Sequence, residues 1–413
     1  TGANAGSTVA IPAGDLIING ATVRLDAASQ IHANVVPEIR GAGALSLNNF
    51  NQTLAGLSFV NDGSTTAASV TTGTGLLTLT GNVTASSSNV GSIAVISGTG
   101  VSVAGAGGVI AVDLGGATRT ITVDPVTVNG NSTVANATPS LAISAPIGSS
   151  TDNATVGITK SGNGLLQLSG ASLFGGGVTV NAGGLLIAGS SAGTRDAFGV
   201  VSAFTNGPLG TGVLTVAANG AFLQADATAR TLNNDFAFGA GVSNLAFRGT
   251  GSLTLNGATS LTNNTTFTVE TPQGILTLNG VIAESSAGLS LTKEGLGTLI
   301  LGHNNTFTGG VTVNAGTLAL AGLNVGSTAP VFAGLNATIG DGGLLSLLNN
   351  GTSSNGLISF ANNIVVSAGL SAANLHVGNN GGNFGNTIEV PSLTLDGGQI
   401  LNVSSQNGYN LRL

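Results

Sequence analysis

The chain has 413 residues, 42% of them apolar and only 6% charged, with 67 Gly, no Cys, no Met, no Trp and a net charge of −7. That apolar content excludes a disordered chain, the acidic balance leaves no basic footprint for nucleic acid or anionic lipid, and the lack of Cys excludes disulfides and thiolate metal sites. A composition built on Gly, Thr, Ser, Asn, Val and Leu suits short strands between turns, so the fold class is read as all-β.

The chain opens at Thr1 with no Met and no basic leader ahead of an apolar run, so it reads as a segment of something longer. Zero Cys also suits a protein that crosses a secretion pore unfolded, where premature crosslinks would jam it. Gly91 to Val112 is uncharged throughout. Ser, Thr and Gly interrupt it every few residues, however, which predicts strands at Ser92 to Val95 and Val101 to Val103 separated by Gly turns, with no membrane insertion. Further on, Ile158 to Gly189 repeats as Leu291 to Gly322 at an offset of 133 without a gap, and 18 of the 32 positions are identical. Within and around these copies, Gly-x-Leu-x-Leu-x-Gly or a near copy starts at Gly251, Gly274, Gly297, Gly316 and Gly343, a recurrence of about 22 residues.

A unit of this length, with two Leu on one face of a four-residue strand, cannot bury that face alone, and stacking copies buries it continuously. The expected architecture is a single β-solenoid over residues 1–413, of roughly 19 coils at about 4.8 Å each, a rod on the order of 90 Å long. Leu165 to Leu168, Val178 to Val180 and Leu185 to Ile187 are one candidate set of strands for a coil. Leu166, Leu168, Leu185, Leu299, Leu301, Leu318 and Leu320 are expected to point inward. Asn181, Asn304, Asn305 and Asn314, at predicted corners, are expected to stack amides up the coil axis.

Lys293-Glu294-Gly295-Leu296-Gly297-Thr298-Leu299-Ile300-Leu301, followed by Asn304-Asn305-Thr306-Phe307-Thr308-Gly309-Gly310-Val311-Thr312-Val313-Asn314-Ala315-Gly316, resembles the autotransporter-associated β-strand repeat, also called the passenger-associated transport repeat. Lys160 to Leu185 is a second copy that departs at Ala171-Ser172-Leu173, where Asn-Asn-Thr is lost. The resemblance implies a right-handed parallel β-helix displayed outside a Gram-negative-type cell, with the repeat assisting secretion and folding.

Sites for chemistry are sparse. His32, His303 and His376 lie at least about three coils apart and cannot share a metal, and His303 is expected in a solvated corner. The best carboxylate pair is Glu270 with Glu294, whose separation in sequence is close to one coil; Lys293 and Glu284 nearby fit a dispersed surface arrangement equally well. Asn233-Asn234-Asp235 is the one trace of a pectinolytic pattern. Gly105 to Gly108 and Gly378 to Gly382 read as corner turns, and Ile339-Gly340-Asp341-Gly342-Gly343 supplies one carboxylate where a calcium repeat needs more. Glu38 with Arg40, and Asp226 with Arg248 at close to one coil's separation, read as surface ion pairs.

These readings favour a non-enzymatic extracellular structural protein, serving as surface fibre, matrix filament or adhesin stalk, with no catalytic, cofactor-binding or metal site and no cofactor. The alternative is a carbohydrate-active β-helix enzyme, a polysaccharide lyase or glycosidase, which a 4% aromatic content with one Tyr does not favour. The expected partners are further copies of the chain, end to end or laterally, or host or surface glycans. Neither end carries a polar capping segment, which suits docking or continuation.

Overall fold

A computed structural model describes residues 9–62, 66–133, 137–195, 201–321, 335–369 and 372–413. Short strands account for nearly all the regular structure among these residues, and one 3₁₀ turn, Ala104–Ala106, is the helical content. No helix among the described residues is long and apolar enough to cross a membrane. The chain forms two compact units, Thr1–Gly193 with Phe204–Ala217 and Thr194–Ala203 with Ala218–Leu413.

In the first unit one parallel sheet runs from Ile17–Asn19 to Leu214–Val216 and a second from Thr22–Arg24 to Gly184–Ile187. A smaller third holds Gln52–Leu54, Leu77–Leu79, Val112–Asp113 and Ile147–Gly148. In the second unit one sheet runs from Phe222–Ala225 to Leu393–Thr394 and another from Arg230–Leu232 to Ile400–Ser405. Each strand of these sheets pairs in parallel with its equivalent one coil away, so the N–H and C=O groups of one coil are satisfied by its neighbours. Each unit is a parallel β-solenoid.

The pairing register follows the sequence recurrence. Ser252 lies opposite Ile275, Ile275 opposite Thr298, Thr298 opposite Thr317 and Gly316 opposite Gly343. Each of these offsets equals the spacing between the corresponding pair of Gly-x-Leu-x-Leu starts, short coils and long ones alike. Leu166, Leu168, Leu185, Leu299, Leu301, Leu318 and Leu320 are all buried in the core, as alternation requires.

Two local assignments change. Leu165–Leu168 and Gly184–Ile187 do not share a coil; they are neighbours in one sheet, with Leu166 opposite Leu185 and Leu168 opposite Ile187. The coil from Leu166 to Leu185 is shorter than the average recurrence, so a second Leu-rich strand that looked like the far side of the same coil is the next one. Val101–Val103 does not join the solenoid either. It forms an antiparallel hairpin with Gly108–Ile110 through the 3₁₀ turn, whereas Ala94–Ser97 sits in the parallel sheet between Ser69–Thr71 and Pro139–Ile143.

The corner after each repeated Val-Thr-Val strand requires glycine. Gly183 and Gly316 have φ of +66° and +62°, and a Cβ on either would lie 2.4 Å from a carbonyl oxygen of the preceding coil, Gly164 and Gly295 respectively. An L side chain there would carry both left-handed strain and a clash with backbone.

Leu301→Asp is expected to destabilise the second unit by several kcal/mol, because it leaves an unpaired charge in a fully buried column. Thr298→Asp, on the outward face of the same strand, is expected to cost under about 1 kcal/mol. Urea denaturation of the two variants checks this, and equal effects would contradict the inward assignment.

Candidate functional site

The repeated unit folds the same way in both copies, and its most unusual feature is a lysine. Ile158-Thr159-Lys160 and Leu291-Thr292-Lys293 alternate inward, outward, inward, so the third residue is directed into the core. Lys160 lies between Ile121 and Val180 in an inward column, and Lys293 between Phe267 and Val313. Both are 0% exposed. They are also the only two lysines in the chain.

Each ammonium is held by three backbone carbonyls at equivalent positions. Lys160 Nζ donates to Ser161 O at 3.0 Å, Gly162 O at 2.7 Å and Ala182 O at 3.0 Å. Lys293 Nζ donates to Glu294 O at 2.7 Å, Gly295 O at 2.7 Å and Ala315 O at 3.0 Å. Two acceptors belong to the lysine's own turn, which Gly162 and Gly295 make at φ of +75° and +77°. The third belongs to the Asn-Ala-Gly corner one coil on. The backbone repeats the link, since the N–H of Asn181 bonds to Lys160 O at 2.9 Å and that of Asn314 to Lys293 O at 3.0 Å. The four-carbon stem fills the core while the three donors of the ammonium match three acceptors. Burial pushes both lysines down from 10.5 to about 8, with Asp124 pulling Lys160 and Glu294 pulling Lys293 the other way.

Lys293 is therefore not part of a dispersed surface arrangement, as its neighbours in sequence suggested. Alternation was the signal that could have found it, because Lys160 and Lys293 stand in phase with Ile158 and Leu291.

The two copies diverge at one corner without losing its bonding. In the second copy Asn305 Oδ1 accepts the N–H of Ile282 at 2.8 Å and its amide donates to His303 O at 3.0 Å. Residue 172 takes this place in the first copy. Ser172 Oγ accepts the N–H of Ile147 at 3.1 Å and lies 3.5 Å from Gly170 O, the counterpart of His303 O. Phe174 and Phe307 fill the core beside these corners in both copies.

The expected amide stacking occurs elsewhere. Asn256 donates to Asn233 Oδ1 at 2.9 Å and Asn279 to Asn256 Oδ1 at 3.2 Å, a ladder that climbs one coil at each step. Asn314 instead donates to Glu294 Oε1 at 2.7 Å, and Asn304 Oδ1 is buried with no hydrogen-bond partner. Asn181 is exposed.

None of the chemical candidates converges. Glu270 lies beyond the end of Thr265–Val269 and pairs with Arg248 at 2.9 Å, whose guanidinium sits 4.0 Å from the centre of the Phe222 ring. Glu294 lies opposite Thr268, so the two carboxylates are two residues out of register and each is engaged elsewhere. Glu284 accepts from Thr308 at 2.6 Å, and that bond holds its carboxyl below the usual range. Asp226 pairs with Arg230, not Arg248, while Glu38 and Arg40 pair as expected. Asn233 belongs to the amide ladder and Asp235 Oδ1 caps the N–H of Ala258 at 2.9 Å, so the Asn-x-Asp trace is structural. His303 is partly exposed in a bend, His32 Nδ1 accepts the N–H of Asn34 at 3.2 Å, and His376 Nδ1 lies 3.0 Å from Ser404 Oγ. Among the described residues no group of three or more His, Asp or Glu is placed to hold a metal.

The lysines set a pH dependence. Their folded pKa lies below the unfolded value, so between about pH 8 and 10.5 the unfolded chain holds more protons and stability rises with pH. Measured against the Lys160→Met/Lys293→Met double variant by urea unfolding, the parent is expected to gain on the order of 1–3 kcal/mol in all across that window. A relative stability that falls over the same range would contradict the burial.

No curated protein and no solved structure shows significant similarity to this chain. The family model of the passenger-associated-transport-repeat matches residues 158–187 and 291–320, the two segments that carry the buried lysines. The chain thus contains two passenger-associated transport repeats, each folded as successive coils of a parallel β-solenoid and fastened by its lysine.

Proposed function

We propose that this chain is a non-enzymatic structural part of an autotransporter passenger, secreted to or displayed on the surface of a Gram-negative-type cell. The observation that carries the reading is the pair of transport repeats, each of which commits its one lysine to holding consecutive coils together. The groups that would do chemistry in a β-helix enzyme are committed in the same way. Glu270 is neutralised by Arg248, Glu294 is bonded to Asn314, and Asp235 caps a backbone N–H. A glycosidase or lyase needs two carboxylates facing a common substrate space, or a base beside a sugar platform.

Under this reading the solenoid serves as a surface fibre, a matrix filament or an adhesin stalk. Its partners are further copies of itself, end to end or laterally, or surface glycans, and the 6% charge leaves little repulsion to oppose lateral contact. It requires no cofactor.

Two experiments test the proposal. Incubation with a panel of neutral and acidic polysaccharides is expected to release no reducing or unsaturated ends. Activity that Glu270→Gln or Glu294→Gln abolishes would overturn the non-enzymatic reading. Fused ahead of a membrane-translocating β-barrel, the chain is expected to reach the cell surface in protease-accessible form, and retention inside the cell would overturn the passenger reading.

A further inference from the structure

Taken alone, the alternation of apolar side chains in the transport repeats fits more than one pairing register, even though the spacing of the corner glycines favours the observed one. Val311–Val313 alternates with period two, and in Gly316–Ala321 Leu318 and Leu320 lie two apart on one face, so sliding either strand by two residues past its neighbour keeps these side chains inward. Val-Thr-Val, Leu-x-Leu and Thr-Leu-Ala-Leu offer the neighbouring coil almost the same surface in either position.

The geometry points to the lysine as what removes that ambiguity: we propose that Lys160 and Lys293 are register pins that admit one alignment of the following coil. Two of the three acceptors of each ammonium come from its own turn and hold the amine in place whatever the next coil does. The third, Ala182 O or Ala315 O, comes from the next coil at 3.0 Å. A slip of two residues would carry that carbonyl about 6.6 Å along the strand, beyond hydrogen-bond reach, and leave a buried donor unmatched. Replacing a buried charge with an apolar side chain of similar size often leaves stability intact while removing such selectivity, as polar groups at coiled-coil seams illustrate. The same acceptor positions recur in both copies, so the arrangement is not an accident of one turn.

The absence of cysteine makes register directly readable by disulfide trapping. Thr292 lies opposite Thr312 and Thr159 opposite Thr179, all on the outward face. Cysteine pairs at 292/312 and 159/179 report the observed register. Pairs at 292/314 and 294/312, and at 159/181 and 161/179, report slips of two residues in either direction, and are diagonal by about 8 Å when no slip has occurred, too far to bridge. With both lysines present, oxidation is expected at 292/312 and 159/179 alone. In Lys293→Met and Lys160→Met backgrounds, the corresponding slipped pairs are expected to crosslink as well, with a matching loss of yield at the observed pair. Crosslinking confined to the observed register in both methionine backgrounds would overturn the proposal. Loss of folded, soluble protein in both would overturn it too, since the lysine would then supply stability and not selection.

Discussion

Both transport repeats place an ammonium group where a charge is costly and surround it with backbone carbonyls. Moving an ion from water into a protein interior costs several kcal/mol unless its hydrogen bonds are replaced. At Lys160 and Lys293 all three ammonium donors find carbonyl oxygens, two in the same turn and one in the next coil. This turns an expensive side chain into a connector. The turn must close to supply two acceptors and the next coil must arrive to supply the third, so local and longer-range structure are satisfied together.

The rest of the solenoid uses weaker versions of the same device. Inter-coil hydrogen bonds between parallel strands satisfy the backbone, the Asn233, Asn256 and Asn279 amides form a ladder up one corner, and Ser172 in one copy does what Asn305 does in the other. Each bond runs from one coil to the next, so the sheets gain order along the stacking direction without the large single core of a globular domain. The low charge follows from this construction. Many outward strand positions carry Thr and Ser, which share the strand's preference for extended backbone, and among the described residues five ion pairs form, Asp226–Arg230 across a turn and Glu38–Arg40 on the outward positions of one strand.

Much of the fold was legible because a solenoid writes its register into spacing. The recurrence of Gly-x-Leu-x-Leu gave the strand offsets of the second unit, and alternation gave the inward leucines. Reading failed where one average coil length was applied everywhere. Gln224 lies opposite Arg248, which leaves Asp226 two residues out of register, so Asp226 turns back to Arg230 across its own corner. Phe247 lies opposite Val269 in the next coil, which brings Glu270, one step further on, to Arg248. The lysines were missed for a different reason. A charged side chain ordinarily marks the surface, and at Lys160 and Lys293 that signal opposes the alternation that places both in phase with the core. In a chain with so few charges, a lysine at the same step of two distant copies is better read as having been put to structural use.

The claim that two buried ammonium groups join consecutive coils is tested most directly by nitrogen NMR of the protein labelled only at lysine. With two lysines in the chain, two side-chain resonances account for all the signal. At neutral pH and room temperature both ammonium groups are expected to give sharp resonances protected from exchange with water. Two signals that exchange as fast as free lysine would contradict it.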